Sequence, residues 1–528
     1  LHVAGVAPEA APRIIRWCMY LLGAWGAVRL IRRLAPAADT PALRLTTAAV
    51  FVLNPYSVVA GSTAAILVPY ALFPWFFAAT MSTLRNGTWR SAAGAALLFA
   101  AMTGMNVGAV PLLQLAAIPA LAGWLLWRRV ISWRQGCIAL GKLGLLCAGV
   151  SLYWLLPSAF AAGAATTVID NSETLTSVAS TSRWSEVVRG LGLWPLYGQS
   201  ISGPWQPGFV PYLADIAVIL ASFAVLVLAV WGTIVTKLPV RALILALFLV
   251  VGSVMVGMHP PEHPSPLGQV MLSAFEAFPS LLALRTTNKA GAGLALALTF
   301  GVALLVVWLS RRQLSGLARA TSLTLVAVAV MLASQPVWAG QWFLGRWAIP
   351  DYWQRASAYL NTSQPSRLWF VPGEVLAHYT WSTSSVDDVN LSWFGSRESL
   401  VRTVLPRESA NSTNLLFAID NQLQNGRATG NSLSYIARIL GVDQLLVRND
   451  TNWEDYDGAA PDQVMAQVQA DPGLSPTLAI GAPGENVRMP LNTSEPPAPL
   501  VVYSVPGAQP ALRALPQATS TVLLGDGL

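Results

Sequence analysis

Residues 214–235 read ADIAVILASFAVLVLAVWGTIV, with Asp215 as the only charged side chain. About 20 apolar residues in helical form cross the hydrocarbon core of a bilayer, so this stretch predicts a transmembrane helix. Other runs of the same kind lie at residues 14–31, 43–60, 63–81, 91–108, 110–127, 138–157, 240–258, 291–309 and 320–339. The sequence therefore predicts a polytopic α-helical membrane protein with about ten transmembrane helices.

The composition agrees with a membrane protein. Hydrophobic residues make up 54% of the chain, charged residues 11%, and the mean hydropathy is +0.52. Residues 1–340 carry 21 Lys and Arg against 8 Asp and Glu, whereas residues 341–528 carry 11 against 17. The net charge of +7 thus averages a basic membrane domain and an acidic soluble domain. It does not indicate nucleic-acid binding, because no segment combines clustered arginines with interleaved aromatic residues.

The positions of the basic residues predict the orientation. Short cytoplasmic loops retain Lys and Arg, and such residues fall in every second loop: Arg29, Arg32, Arg33, Arg44, Arg85, Arg90, Arg128, Arg129, Arg134, Lys142, Lys237, Arg241, Arg311, Arg312 and Arg319. Loops 158–213 and 259–290 and the domain 341–528 are then extracytoplasmic, in a multi-pass protein of the plasma membrane. Residue 1 also falls outside, so we expect a fragment that lacks at least one earlier helix.

The second domain has mixed polarity and alternating patterns. Residues 350–360 and 432–440 predict helices, and residues 367–371, 444–447 and 500–504 predict strands. The proline-rich residues 490–499 indicate a linker or a sheet edge. We predict an extracytoplasmic α/β domain over residues 341–528, with a β-rich C-terminal end.

One segment that we predict to be extracytoplasmic carries basic residues, although Lys and Arg otherwise fall in the cytoplasmic loops. Residues 266–284 form an amphipathic pattern that would lie along the membrane interface, and Arg285-Thr-Thr-Asn-Lys289 follows it. Two interpretations are open. The cations hold the segment to anionic lipid headgroups, or they bind the phosphate of an anionic lipid, with Arg285 as a planar fork and Lys289 as a point charge.

Other polar residues allow both functional and structural interpretations. Asp170 and Glu173 lie three residues apart in a loop. They could act as an acid–base pair or as ligands of a divalent cation, or they could be solvated loop charges without a specific role. Tyr56, Trp75 and Asn106 lie near helix ends, where polar groups line a cavity or pack between helices.

Two apparent motifs are set aside. His259-Pro-Pro-Glu262-His263 matches a zinc peptidase pattern that needs a helix, and its two prolines oppose that helix. Cys18, Cys137 and Cys147 lie in or beside apolar helices and indicate buried, unreactive thiols rather than metal ligands.

The order of several short motifs resembles that of a known family. The segments are Val52-Leu-Asn-Pro-Tyr56, Val68-Pro-Tyr-Ala-Leu-Phe-Pro-Trp75, Met102-Thr-Gly-Met-Asn106, Tyr153-Trp-Leu-Leu-Pro157, Leu284-Arg-Thr-Thr-Asn-Lys289 and residues 432–450. In this order they resemble the membrane α-(1->3)-arabinofuranosyltransferases, GT-C glycosyltransferases that branch cell-wall arabinan. The resemblance covers most of the chain.

The resemblance implies a polyprenyl-phosphate arabinofuranose donor, a cell-wall polysaccharide acceptor and contact with membrane lipids. From their charge and position in this sequence, we expect Arg285, Asn288 and Lys289 to bind the donor phosphate and Asp170 and Glu173 to bind the acceptor or a metal. We expect Tyr56, Trp75 and Asn106 to line a cavity. The catalytic carboxylate of this class lies in the first outer loop, which we expect upstream of Leu1. C-terminal carbohydrate-binding modules would lie beyond Leu528, and a divalent cation is left open as cofactor.

Two other functions compete with transfer of arabinofuranose. A non-catalytic or hexose-specific GT-C relative would bind lipid-linked sugar or glycan with the same architecture. A secondary transporter would place charged residues at mid-depth in the membrane, whereas nearly all ionisable residues here fall at the ends of the predicted helices.

Overall fold

The computed structural model describes residues 10–104, 108–160, 173–200, 203–342, 349–362, 367–374, 378–382, 398–402, 410–456, 458–491 and 495–508. Two compact units are present. The helical unit takes in Leu1–Gly163, Ser172–Gly198 and Gly208–Leu344, and the α/β unit takes in Ala164–Asn171, Gln199–Pro207 and Gly345–Leu528. Residues 199–207, which the sequence placed with the membrane domain, thus cluster with the second unit.

The helical unit contains seventeen described α-helices. They are α1 (Ala10–Leu34), α2 (Pro41–Leu53), α3 (Pro55–Ala60), α4 (Ala64–Asn86), α5 (Trp89–Met102), α6 (Ala109–Gln114), α7 (Ala117–Trp127), α8 (Trp133–Phe160), α9 (Leu175–Thr181), α10 (Trp184–Val187), α11 (Pro211–Ala214), α12 (Ile216–Val235), α13 (Val240–Val256), α14 (Pro266–Ala277), α15 (Ala292–Arg311), α16 (Gly316–Ala333) and α17 (Gln335–Trp338). Short 3-10 helices lie at Pro36–Ala38, Trp194–Leu196, Pro207–Phe209, Pro279–Leu284 and Thr287–Ala290.

Seven helices in the described part of the chain are long and apolar enough to cross a membrane. They are α1, α4, the α6–α7 pair (Ala109–Trp127), α8, α12, α15 and α16. Helices α2 and α13 are apolar but shorter, with 13 and 17 residues. The polytopic helical membrane fold is therefore confirmed, and the count of ten spans stays a prediction.

Helix α15 lies at the centre of the helical unit. Of its most apolar stretch, 94% is buried, compared with 11% for α8. It contacts α2, α12 and α13, and it meets α12 at glycines. A Cβ added to Gly232 would lie 2.0 Å from the Gly301 carbonyl oxygen, so the two backbones touch. Small residues allow this contact, which bilayer helices use because lipid removes most of the hydrophobic gain from helix association.

The prediction of buried cysteines is wrong. Cys18 in α1 and Cys137 in α8 are exposed, and Cys147 is partly exposed. An apolar helix in a membrane protein can face lipid instead of protein, so an apolar neighbourhood in the sequence does not report burial.

The segment between α13 and α15 carries the polar pattern found in the sequence. Residues 257–265 form turns and bends, and His259–His263 contains no helix, as its prolines predicted. Helix α14 then forms where the amphipathic pattern begins, with the Ser265 hydroxyl accepting a hydrogen bond from the Gly268 N–H. Two 3-10 helices lead from α14 to the start of α15.

The α/β unit contains a five-stranded mixed sheet and a two-stranded hairpin. The strands are β1 (Gln199–Ser200), β2 (Gly203–Pro204), β3 (Arg367–Val371), β4 (Ser399–Leu400), β5 (Val442–Arg448), β6 (Ser475–Ile480) and β7 (Leu500–Ser504). Its helices are α18 (Asp351–Thr362), α19 (Ala410–Gln424), α20 (Ser432–Ile439) and α21 (Pro461–Ala470), with a 3-10 turn at Trp453–Tyr456. The sheet order is β4-β3-β5-β7-β6; β4, β3 and β5 run parallel, and β7 runs antiparallel to both neighbours.

Helices cover both faces of this sheet. Alternate residues of β3 point to opposite faces: Leu368 and Phe370 pack with α18, and Trp369 and Val371 pack with α19 to α21. Because both faces are buried, the inner strands contain continuous apolar runs, residues 368–371 in β3, 445–447 in β5 and 500–503 in β7, rather than an alternating pattern. The α/β architecture predicted for this region is present in the structure.

A buried carboxylate joins α18 to the end of β5. The Oδ2 atom of Asp450 accepts hydrogen bonds from the Tyr352 hydroxyl, the Trp353 Nε1–H and the Trp381 Nε1–H, each at 2.8 Å. Burial raises the pKa of the Asp450 carboxyl above its ordinary value, and these donors together with Arg448 oppose the rise without cancelling it.

This raised pKa predicts a pH dependence of stability. The folded state holds the Asp450 proton more tightly than the unfolded state, so the contribution to stability is full below the unfolded pKa of about 3.9 and is lost as pH rises through the folded pKa. Asp450→Asn cannot ionise and is expected to gain stability relative to the unsubstituted chain as pH rises from about 4 through the raised folded pKa of Asp450. Pulse proteolysis in urea measures the difference at each pH. A difference that does not change with pH would contradict the prediction.

Candidate functional site

Four consecutive polar residues are buried immediately before the central helix α15. Arg285, Thr286, Thr287 and Asn288 are between 1% and 7% exposed. Buried polar groups need hydrogen-bond partners, since each unsatisfied group costs free energy. The partners of this segment, residues 285–289, therefore show which parts of the chain hold it in place.

Arg285 is held by Glu173. Its Nε–H donates to the Glu173 carbonyl oxygen at 2.8 Å, and its Nη2 lies 3.3 Å from Glu173 Oε2. The Arg285 Nη1–H donates to the Leu282 carbonyl at 2.8 Å, and the Thr286 hydroxyl donates to Glu173 Oε1 at 2.7 Å. The structure thus brings together two candidates that the sequence analysis treated separately, although Glu173 and Arg285 are 112 positions apart in the chain.

Three further contacts bind the segment to other elements. The Thr287 hydroxyl donates to the Met255 carbonyl at 3.0 Å, and Asn288 Nδ2–H donates to the Leu191 carbonyl at 2.6 Å. The Tyr56 hydroxyl donates to the Lys289 carbonyl at 3.2 Å. Residues 285–289 are consequently fixed by α3, by the end of α13 and by the chain at residues 173 and 191.

Lys289 differs from its neighbours. Its side chain is largely but not fully buried, and its ammonium group makes no ion pair within the described part of the chain. Burial lowers the pKa of Lys289, and Arg285 lowers it further, while Glu173 raises it. A partly desolvated ammonium without a protein counter-ion is a good binding group for an anion.

The remaining predicted residues fall in different places. Tyr56 is 1% exposed, and its ring lies against the backbone of Gly291, where an added Cβ would be 2.1 Å from Tyr56 Cε2. Trp75 Nε1–H donates to the Leu22 carbonyl at 3.0 Å, and its ring packs edge-on against Trp25. These contacts indicate that Tyr56 and Trp75 pack against other parts of the helical unit rather than line a cavity. Asp170 and Asn106 lie outside the described residues.

The carboxylate of Glu173 is not arranged as a cation ligand. Both of its oxygens face donors, Thr286 and the Arg285 guanidinium. Among the residues that the structure describes, no three His, Cys, Asp or Glu side chains come together as a metal site. The geometry at Glu173 therefore fits a buried ion pair and does not fit a divalent-cation site.

A second buried ion pair, between Glu186 and Arg189, was not predicted from the sequence. Glu186 and Arg189 are paired at 2.8 Å, and the Tyr197 hydroxyl donates to Glu186 Oε2 at 2.5 Å. The i, i+3 spacing of opposite charges is a signal for such a pair. It is also common on exposed helices, so spacing alone did not single it out.

Removing one partner of the Glu173–Arg285 pair is expected to destabilise the helical unit. Glu173→Ala leaves a buried guanidinium without its carboxylate, at a cost of about 3 kcal/mol. The double variant with Arg285→Ala is expected to lose less than the sum of the two single losses, because the two side chains interact. Thermal unfolding in detergent measures all three variants. Glu276→Ala removes an exposed carboxylate of α14 and is the control. Additive losses would show that the pair does not interact.

The helices and the buried polar segment define the class of the protein: a multi-pass helical membrane protein with a polar site at one end of its central helix. The chain belongs to the family described as alpha-(1->3)-arabinofuranosyltransferase, N-terminal GT-C domain, whose model matches residues 2–527.

Two curated relatives are similar in sequence to most of this chain. The chain is 27% identical over 522 residues to an alpha-(1->3)-arabinofuranosyltransferase of Mycobacterium tuberculosis, covering 91% of this chain and 35% of the relative. It is 24% identical over 503 residues to the enzyme of the same name from Mycolicibacterium smegmatis, covering 88% and 33%. The chain therefore spans about a third of the length of these relatives.

Solved structures with the same fold are similar over nearly the whole chain. The cryo-EM structure of arabinofuranosyltransferase AftD from Mycobacteria matches with a TM-score of 0.61 at 20% identity, covering 96% of this chain and 34% of that one. A mutant form of the same enzyme matches with a TM-score of 0.64, covering 96% and 36%. The similarity of fold supports the GT-C architecture of the helical unit.

Proposed function

We propose that this chain is the GT-C part of a glycosyltransferase that moves arabinofuranose from a polyprenyl-phosphate donor to a cell-wall arabinan acceptor, forming α-(1->3) branches. The observation that carries the proposal is membership of the arabinofuranosyltransferase family over residues 2–527. The buried polar segment at the start of α15 supplies a position for the donor phosphate.

The chemistry of such a donor determines what the protein must provide. A phosphate-linked sugar already carries an anionic leaving group, so the reaction needs a base for the acceptor hydroxyl and positive charge at the phosphate. Within the helical unit, we assign the positive charge to Lys289, whose ammonium has no carboxylate partner in the described residues. Arg285 and Asn288 are part of the same site but act mainly by fixing the segment. Their side chains already donate hydrogen bonds to the carbonyl oxygens of Glu173 and Leu191.

The base is not assigned to a residue of this chain. Glu173 is held by Arg285 and Thr286, and both of its carboxylate oxygens are directed toward these protein donors. We propose that Glu173 orients residues 285–289, which we call the donor segment. Any effect of Glu173 on acceptor binding is indirect and follows from the position of this segment.

The basic loops support an orientation for this reaction. We propose that the protein lies in the plasma membrane with residues 285–289 and the α/β unit on the extracytoplasmic side, because fifteen Lys and Arg residues fall in the alternate loops. A lipid-linked donor with its headgroup at the outer leaflet would then reach Lys289 directly.

A transfer assay tests the proposed function. Membranes that contain the full-length parent protein are incubated with radiolabelled decaprenyl-phosphate arabinofuranose and a synthetic arabinan acceptor. A product with a new α-(1->3) branch supports the proposal. A folded protein that forms no such product, but transfers a hexose from the corresponding donor, would favour a hexose-specific relative instead.

A further inference from the structure

A cavity of about 490 Å³ lies within the helical unit, beside the Glu186–Arg189 pair. Its volume falls within the roughly 300–1,000 Å³ of small-molecule sites. Its wall combines Glu186, Arg189 and Tyr197 with small hydroxyl residues such as Ser185, while Ile219 and Phe223 form an apolar side. None of these groups has a role in the donor-phosphate site described above.

The charged groups of the cavity are fixed before any ligand binds. Arg189 is only 3% exposed; its Nη2–H donates to both oxygens of Glu186, at 3.0 and 2.8 Å, and its Nη1–H donates to the Ser222 hydroxyl at 3.1 Å. The Arg189 guanidinium also packs over the Phe223 ring, with 5.1 Å from Cζ to the ring centroid. These contacts hold a carboxylate and a guanidinium side by side in a fixed orientation.

Both partners retain unused hydrogen-bonding capacity. The Arg189 Nε–H is buried and has no hydrogen-bond partner among the residues that the structure describes. Ionised Glu186 has about four lone-pair positions, and three are used by Arg189 and Tyr197. A ligand that both donates and accepts hydrogen bonds over a short distance would satisfy both groups. Adjacent hydroxyl groups on a sugar ring have this property.

The charge balance favours a neutral ligand. Glu186 neutralises Arg189, so the interior of the cavity has no net charge. Arg183 lines the cavity but is exposed to solvent, where an ionic contact is worth little. The C–H face of a sugar ring would pack on the apolar side formed by Ile219 and Phe223.

The cavity is linked to residues 285–289 by hydrogen bonds through residues 191–192. Asn288 donates to the Leu191 carbonyl, and the hydroxyl of Thr181, which lines the cavity, donates to the neighbouring Gly192 carbonyl at 3.3 Å. A Cβ added to Gly192 would lie 3.2 Å from Asn288 Nδ2. Residues 191–192 therefore contact both a residue of the cavity wall and the segment that carries Lys289.

We propose that this cavity binds one furanose residue of the glycan acceptor, with Glu186 and Arg189 holding two adjacent hydroxyl groups. The assignment rests on the proposed function, which supplies a furanose-containing acceptor. Glu186 and Arg189 are binding residues in this proposal and take no part in bond formation.

Binding of a synthetic α-arabinofuranosyl trisaccharide to the full-length parent protein in nanodiscs tests the proposal. Ser185→Trp fills part of the cavity while Glu186 and Arg189 remain unsubstituted, and it is expected to weaken binding at least tenfold. Glu186→Gln keeps the size of the side chain but loses the charge, and it is expected to weaken binding about tenfold. Glu276→Gln, on an exposed face outside the cavity, and Arg183→Ala are expected to stay within about twofold of wild type.

The outcomes separate this proposal from the proposed function. Tight trisaccharide binding that Ser185→Trp abolishes, together with a raised acceptor KM and an unchanged donor KM in the transfer assay, supports it. A wild-type protein that does not bind the trisaccharide, or that binds it equally well in all variants, overturns it. Loss of binding in Arg183→Ala, with competition by phosphatidylglycerol, also overturns it and assigns the cavity to an anionic headgroup. Trisaccharide binding without any transfer would overturn only the proposed function.

Discussion

Replacing Lys289 with glutamine is expected to lower kcat/KM for the lipid-linked donor about 100-fold while leaving the protein folded. Within the part of the chain that the structure describes, the ammonium makes no ion pair with a carboxylate, whereas Arg285 is paired with Glu173, and a hydrogen bond to a charged group is lost when the ammonium is removed. Glutamine keeps most of the aliphatic contacts, so the change removes charge rather than packing. Steady-state transfer at varied donor concentration measures the effect.

Two comparisons make this result specific. Lys237→Gln removes an exposed cation from the loop between α12 and α13 and should leave kcat/KM within about twofold. Lys289→Arg retains the charge and should recover part of the loss. If Lys289→Gln transfers arabinofuranose at the wild-type rate, Lys289 does not contact the phosphate.

The same lysine predicts an alkaline limit on donor binding. Burial lowers the pKa of Lys289, so the ammonium loses its charge at a lower pH than an ordinary lysine does. Donor affinity is therefore expected to fall as pH rises through this lowered pKa, and to be full below it. Lys289→Arg should extend binding to higher pH, because a guanidinium stays protonated.

Gly301→Leu is expected to prevent assembly of the helical bundle, with a loss of at least about 3 kcal/mol. A Cβ at position 301 would lie 2.3 Å from the Ala229 carbonyl oxygen and 2.8 Å from its carbonyl carbon. These are backbone atoms of α12, which cannot move aside as a flexible side chain does. The two helices would have to separate, and α15 would lose part of its buried surface.

Gly144→Leu is the matched control for this substitution. Gly144 lies in α8, and a Cβ there would meet no other atom within 4 Å. The same change in size and hydrophobicity should be tolerated at position 144. Fluorescence-detected size-exclusion chromatography reports the folded fraction of each variant. Equal recovery of both proteins would show that the close contact between α12 and α15 is not needed for assembly.

Much of the fold follows from local sequence patterns. Apolar length predicts a helix wherever the chain has enough consecutive apolar residues, and the inner strands β3, β5 and β7 stand out because both faces of the sheet are buried. Strand β6 was missed because its residues Ser475 to Ala479 are exposed and include a proline. Its pairing with β7 decides its conformation, and that pairing is not visible in a short window of sequence.

The candidate site was predicted only in part, for a related reason. The sequence singled out residues 285–289 by their charge, which is a local signal. It could not pair Arg285 with Glu173, or Asn288 with Leu191, because these contacts join distant positions. The burial of Tyr56 and the exposure of Cys137 also depend on which face of a helix meets protein and which meets lipid.

The way residues 285–289 are held has a consequence for genetic experiments. The hydrogen bonds that fix the segment reach partners 32, 97, 112 and 233 residues away along the chain. In a selection for resistance to an inhibitor that mimics the lipid-linked donor, resistant clones would carry substitutions spread from position 56 to position 289. Such a spread would look like several unrelated targets on a linear map, although all of the changes would act on one five-residue segment.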